Sequence, residues 1–301
     1  AKGQFSASFN KSPAFAPEGY ITDYYTDEAI QVIEKNKHRP FFLYLAHWAV
    51  HNPMQALKDD VEAISHHTTG HNLQVYSGMI TALDRSVGRI VDALEQNGLT
   101  DNTLIIITSD NGGASYIELA DINDPYRGWK LTHFEGGTHI PFMAKWPDQI
   151  EAGTQFKPAV HHNDIFQTIA AAGNAKVPTD RVFDGVDFLP FVNGSKDGAL
   201  HETLFWRQGH QQTVLHKGWK LIRTSRADQK WLFHLAIDPT EQNNIITDHP
   251  EKVALLDKLI DVHNLEQTES LWPSTVNAPI LIDKHTGQKY EKNDEYIYWP
   301  N

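Results

Sequence analysis

Residues 72–113 constrain the fold more than any other stretch. Leu73, Tyr76, Ile80, Leu83, Val87, Ile90, Val91 and Leu94 recur at spacings of three and four, and Asn97-Gly98 follows. That pattern predicts one long amphipathic helix with a C-terminal cap. Behind it comes "TLIIIT", residues 103–108, a short apolar run that predicts a strand. Ahead of it lies "PFFLYLA", residues 40–46, which predicts a strand buried on both faces. Strand, long helix, strand is the order of a parallel sheet with crossover helices.

More of that architecture can be read on either side. Residues 22–36 suit a helix, "HIPFMAKWP" at 139–147 a strand, and 164–172 a helix stopped by Gly173. After "FDGVDFLPFVNG", residues 183–194, the texture changes to short strands broken by Gly, Lys and Asp, then a helix over 250–264. The expected fold class is α/β, with a mainly parallel central sheet flanked by helices. A smaller C-terminal subdomain is built on an antiparallel sheet and a helix. The expected division is 1–194 for the α/β part and 195–301 for the subdomain with its Pro- and aromatic-rich wrapping tail.

Composition removes several functions. The formal net charge of −12 argues against a nucleic-acid partner. With no cysteine, disulfides, thiolate metal sites and a cysteine nucleophile are excluded. No apolar run reaches the length of a membrane span. The chain begins with Ala1 rather than Met and carries no signal peptide, so a processed or truncated start is expected.

Three clusters carry chemistry. "LIIITSDNGGAS", residues 104–115, ends a strand on Asp110-Asn111 and two glycines. Ligands gather beyond the carboxyl ends of such strands, and a carboxylate beside an amide oxygen suits a hard cation such as Ca²⁺ or Mg²⁺. Asn-Gly is also a common turn, so spacing alone leaves turn and metal site both open. "YLAHWAVHNP", residues 44–53, places His47 and His51 at another strand end. A histidine there can bind an oxyanion or move a proton, with His47 the better candidate for packing. "YRGWKLTHFEGGTHIP", residues 126–141, holds Lys130 in a loop, a point charge for an anionic oxygen. Cation, histidine and lysine together describe a site for a tetrahedral anion ester.

In this order the clusters resemble the sulfatase family of the alkaline phosphatase superfamily. "PFFLYLAHWAVHNPMQA" is similar to the family's strand ending in its active-site histidine. "YSGMITALDRSVGRIVDALEQNGLTDNTLIIITSDNGG" is similar to the long helix running into the metal-binding Asp-Asn. "RGWKLTHFEGGTHIPFMAKWP" resembles the lysine loop, and "LFWRQGHQQTVLHKGWKLIR" with "LFHLAIDPTEQNNI" the C-terminal subdomain. The resemblance implies that Asp110 and Asn111 are ligands of Ca²⁺, that Lys130 binds the sulfate, and that His51 contacts the sulfate or leaving-group oxygen. Arg207 and His210 are further candidates for substrate contacts. It implies a sulfuric ester hydrolase acting on a sulfated carbohydrate or aryl sulfate, periplasmic or secreted, and a cysteine-free chain is compatible with a bacterial source.

The departures are as informative. The family's nucleophile is formylglycine, made within Cys/Ser-x-Pro-x-Arg, and Ser12-Pro13 lacks that spacing. The early Asp-Asp metal pair and the Gly-Lys-x-His-Leu-Gly segment are also missing from the sequence. The expectation is therefore a C-terminal portion, holding two of four protein metal ligands, inactive alone and marginally stable without its N-terminal fragment. Two other readings stand beside it. One is a phosphatase or phosphodiesterase of the same superfamily. The other is a non-catalytic sulfated-glycan binding protein that uses Trp272, Tyr296, Tyr298 and Trp299 as stacking platforms.

Overall fold

The computed structural model describes residues 6–272 and 277–300. By contact the chain divides into two compact units, Ala1–Leu104 with Lys145–Ala152, and Ile105–Ala144 with Gly153–Asn301.

The first unit is helical. It contains α1 (Ile21–Asn36), α2 (Lys58–Ile64) and α3 (His71–Gln96), with α1 and α2 both packed on α3. The long helix begins and ends where its pattern predicts. Asn97 caps it, and Gly98, at φ +66°, turns the chain so that the Leu99 N–H reaches Leu94 O at 2.9 Å. Its most buried face differs from the predicted stripe. Gly78, Met79, Ala82, Ser86 and Ala93 are buried together with Leu94, whereas Leu73 and Ile80 are exposed. Small residues win because neighbouring segments approach closely: a Cβ on Gly78 would stand 3.0 Å from Ala56 and Val61 side-chain atoms. Thr22, Thr26, Ala29 and Ile33 form the matching stripe of α1. The Thr26 and Ser86 hydroxyls meet at 2.6 Å between the two helices. Arg85 adds a bidentate pair with Asp60, at 2.5 and 3.0 Å, which fixes α2 on α3.

Residues 40–46 are a correction. They form no strand ladder, and they are not buried on both faces. Phe41, Leu43 and Leu45 are half-buried, while Phe42 is 70% exposed and Tyr44 81% exposed. The alternation is that of an extended segment with one covered face, because nothing among the described residues pairs with it.

The second unit carries the strands. β1 (Ile105–Thr108) and β2 (Phe142–Lys145) form a two-stranded sheet. Between them lie a short 3₁₀ turn (Ser115–Ile117) and α4 (Glu135–Thr138); α5 (His162–Ala172) and α6 (Leu189–Val192) follow. Next come β3 (Thr203–Gln208), β4 (Gln211–His216), β5 (Trp219–Thr224) and β6 (Lys230–His234), a four-stranded antiparallel meander in chain order. α7 (Pro250–Leu265) and the hairpin β7 (Asn277–Leu281) with β8 (Tyr296–Pro300) complete it.

Strand alternation gives the meander two buried faces. Val214, Leu221 and Leu232 align across β4, β5 and β6 and pack on Leu256 and Ile260 of α7. Ile222, Trp231 and Phe233 point the other way and pack on Phe134, Ile282 and Ile297. Phe134 belongs to the segment carrying Lys130, and the other two come from the tail. The tail is thus a hairpin with two fully buried residues, which contributes to the core as well as lying along the surface.

Candidate active site

The end of β1 and the lysine loop are joined by backbone. Gly112 N–H donates to Gly137 O at 3.1 Å, and Lys130 N–H donates to Gly113 O at 2.8 Å. Asn123 rivets the join. Its Oδ1 accepts from Gly113 N at 2.7 Å, and its Nδ2 donates to Gly113 O and Gly128 O, both at 3.0 Å. Gly136 N–H donates to Arg127 O at 2.7 Å. The approach needs glycine. A Cβ on Gly112 would lie 1.8 Å from Gly136 O, and one on Gly137 would lie 2.2 Å from Thr132 O. The two glycines after Asp110-Asn111 therefore allow the strand end to lie against the lysine loop.

Asp110 is exposed and Asn111 half-buried. Asn111 Nδ2 donates to Gly112 O at 2.9 Å, which leaves the oxygen as the end of the amide suited to a cation. Ser109 Oγ donates to Asn111 O at 2.9 Å, and His162 Nε2 lies 2.9 Å from Ser109 O. A carboxylate and an amide oxygen are donors of the type that calcium takes. Among the described residues no group of three or more His, Cys, Asp or Glu side chains is gathered to hold a metal. The donor type fits, and the ligand number requires more.

Beneath Lys130 the loop is wired to the meander. Lys220, 1% exposed, stands 2.6 Å from Glu135 Oε1 and 2.8 Å from Glu241 Oε1. Glu241, itself fully buried, accepts from Glu135 N–H at 2.6 Å through its other oxygen. Burial alone would raise the Glu135 pKa. The Lys220 charge and hydrogen bonds from His139 and Lys220 outweigh it and pull Glu135 down to about 2. Glu241 moves the opposite way, raised by burial and by Glu135, with Lys220 opposing. Lys220 is raised despite its burial, because two carboxylates face it. His133 is buried, its Nδ1 lies 2.9 Å from Thr213 Oγ1, and burial with the Lys220 charge pushes it down to about 3. The ring is neutral at ordinary pH.

From the other side, Arg127 pairs with Asp283 at 2.6 Å and with Glu295; Trp231 Nε1 donates to Glu295 at 2.7 Å. Burial works against the Arg127 charge, but these two carboxylates raise its pKa.

The remaining candidates sit as follows. His51 belongs to the first unit; it is exposed, and its Nδ1 lies 2.8 Å from Asn52 O. His47, half-buried, bonds through Nε2 to Ser86 Oγ at 3.0 Å, and burial lowers its pKa. Arg207 is exposed near the end of β3, opposite Gln212. His210 sits in the β3–β4 turn with Nδ1 3.2 Å from Ser225 Oγ and Nε2 2.8 Å from Asn277 Oδ1. His161 caps α5 and His66-His67 form an exposed ring pair. Sequence reasoning missed Asn123, Arg127, Gln211, Lys220 and Glu241. The available signal was Gln211, Thr213 and Lys220 at inward positions of otherwise apolar strands.

Comparison with known proteins gives the family. The profile of the Sulfatase family matches residues 3–175, and that of "N-sulphoglucosamine sulphohydrolase, C-terminal" matches residues 128–269. The chain is 35% identical over 191 residues to the uncharacterized sulfatase YdeN of Escherichia coli, covering 63% of this chain and 34% of that protein. It is 31% identical over 268 residues to an N-acetylgalactosamine-6-O-sulfatase of Bacteroides thetaiotaomicron, covering 80% of this chain and 50% of that protein. The chain thus spans a third to a half of these relatives. Among solved structures, Ps i-CgsB in complex with k-i-k-neocarrahexaose superposes with a TM-score of 0.78 at 28% identity, covering 87% of this chain and 58% of that one. That likeness shows the α/β fold with its antiparallel C-terminal subdomain. The chain belongs to the sulfatase family.

Proposed function

We propose that this chain supplies part of the active site of a sulfuric ester hydrolase acting on a sulfated carbohydrate. The observation that carries the reading is the backbone join that brings Asp110-Asn111 beside Lys130. A carboxylate–amide pair and an ammonium on one rigid support suit a sulfate group: the pair as part of a cation site, the lysine as a direct charge for its oxygens. His51, whose Nδ1 lies 2.8 Å from Asn52 O, is assigned to the sulfate or leaving-group oxygen. Arg207 and His210 are retained as substrate contacts from the C-terminal subdomain.

Asp110 and Asn111 would hold Ca²⁺, which supplies Lewis-acid polarisation of the sulfate when bound. The formylglycine nucleophile and the remaining metal ligands would come from a segment outside this sequence, which has no cysteine and no Cys/Ser-x-Pro-x-Arg motif. The division at residue 194 is kept as part of this proposal.

A carbohydrate is preferred to an aryl sulfate because the matched relatives include a sulfatase named for an aminosugar and a neighbour solved with a carbohydrate. A sulfated polysaccharide places the reaction in the periplasm or outside the cell; no helix among the described residues is long and apolar enough to cross a membrane. Of the four rings that the glycan-binder reading would use, Trp272 is 74% exposed, while Arg226 covers the Tyr298 ring at 3.8 Å and Tyr296 meets that ring edge-on. The test is sulfate release from sulfated oligosaccharides by the chain joined to a nucleophile-bearing segment. Release that depends on Lys130 and on calcium is expected, and retention of full activity in Lys130→Ala would sink the assignment.

A further inference from the structure

Gln211 opens β4 and is completely buried. Strand alternation puts it on the same face as Thr213, and the register places Lys220, Ile222, Trp231 and Phe233 on that face too. Its Nε2 donates to Leu131 O at 2.8 Å and its Oε1 accepts from His133 N at 3.1 Å. A primary amide in such a place is costly unless both its ends are paired, and here both are paired by one loop.

Leu131 directly follows Lys130 and holds φ at +77°. A leucine occupies that left-handed region only where its surroundings impose it. The constraint comes from two sides. On one, Lys130 N–H is fixed to Gly113 O; on the other, the Leu131 carbonyl is fixed by the Gln211 amide. Beyond it the meander holds every second loop residue: His133 through Thr213 and Glu135 through Lys220.

We propose that Gln211 is a positioning residue for Lys130: it holds the Leu131 peptide in its left-handed conformation and so aims the lysine at the sulfate. The inference rests on the sulfatase reading above. Gln211 touches no reacting atom in this role and acts only through Lys130.

A double-mutant cycle separates positioning from simple packing. Wild type, Gln211→Met, Lys130→Ala and the double variant are made in the enzyme completed with its nucleophile-bearing segment. Two readouts are taken: kcat/KM on a chromogenic aryl sulfate, and binding of inorganic sulfate by calorimetry. Gln211→Met preserves volume and removes both hydrogen bonds. It is expected to lower kcat/KM about 10- to 100-fold, the scale of an ångström-level misplacement, and to weaken sulfate binding. In the Lys130→Ala background the same change should shift either readout less than about twofold, the coupling expected of residues acting as one unit. Equal effects in both backgrounds, or no effect in the first, overturn the proposal. If Gln211→Met does not fold, Gln211→Glu replaces it, since it keeps the acceptor for His133 N and loses the donor for Leu131 O. A wild type without sulfate-ester turnover counts against the sulfatase reading, while the sulfate-binding cycle still decides the role of Gln211.

Discussion

Gly112 donates its backbone N–H to Gly137 O at 3.1 Å, and a Cβ on Gly112 would fall 1.8 Å from the neighbouring Gly136 O. The candidate cation pair and the lysine loop are thus held together by main chain at a distance that no other residue permits. Gly112→Ala is expected to cost at least about 2 kcal/mol in denaturant unfolding, because backbone must move to admit the methyl. Gly88→Ala is the control. It lies inside α3, where a Cβ would meet nothing within 4 Å, and should gain about 0.5–1 kcal/mol from helix propensity alone.

The buried Lys220 neutralises one of two carboxylates that would otherwise face each other. Lys220→Met should therefore destabilise by about 3–5 kcal/mol, the usual result of leaving a buried charge without its partner. Lys220→Met combined with Glu135→Gln and Glu241→Gln should recover a substantial part of that loss. Urea melts of the single and triple variants check this, and a triple variant no more stable than the single one would show that packing, not charge, sets the cost.

His133 makes stability depend on pH with a defined sign. Its folded pKa, about 3, lies below the ordinary value of 6.5, so the unfolded chain binds its proton first as pH falls. The contribution is fully present above pH 6.5 and is lost progressively toward pH 3. At about pH 5 the loss should be about 2 kcal/mol relative to neutral pH. Glu135 adds to the loss at lower pH: its folded pKa of about 2 lies below 4.5, so its contribution fades between those values. Glu241 opposes it, since its raised pKa makes folding costly above its ordinary value and relieves that cost in acid. Unfolding free energies measured from pH 7.5 to 5 should fall less steeply in His133→Asn, with His47 and His161, whose pKa values burial also lowers, supplying the remaining slope.

Much of the fold is legible locally. The α3 pattern and its Asn97-Gly98 cap mark the helix to within a residue, and the meander follows from alternating strands separated by Gly and Asp. The face of α3 is not legible, because Gly78, Ala82 and Ser86 are selected by close approach of other segments rather than by apolarity. The extended run at 40–46 reads as a doubly buried strand because Phe42 and Tyr44 are apolar, yet burial depends on a partner that periodicity does not reveal. At the site, Asp110, Asn111 and Lys130 stand out as polar residues at strand ends and in a glycine-rich loop. Gln211, Lys220 and Glu241 do not, because their meaning lies in pairings 80 to 106 residues away, such as Gln211 with Leu131 and Glu241 with Glu135.

The central claim is that Asp110, Asn111 and Lys130 form one part of a sulfatase site whose nucleophile lies outside this sequence. Its most direct test is sulfate release from a sulfated oligosaccharide, measured for the 301-residue chain alone and for the chain joined to a nucleophile-bearing segment. The account predicts no turnover by the chain alone, turnover by the joined protein, and loss of that turnover on calcium chelation, in Asp110→Ala and in Lys130→Ala. Turnover by the chain alone, or by a joined protein indifferent to both substitutions, would contradict it.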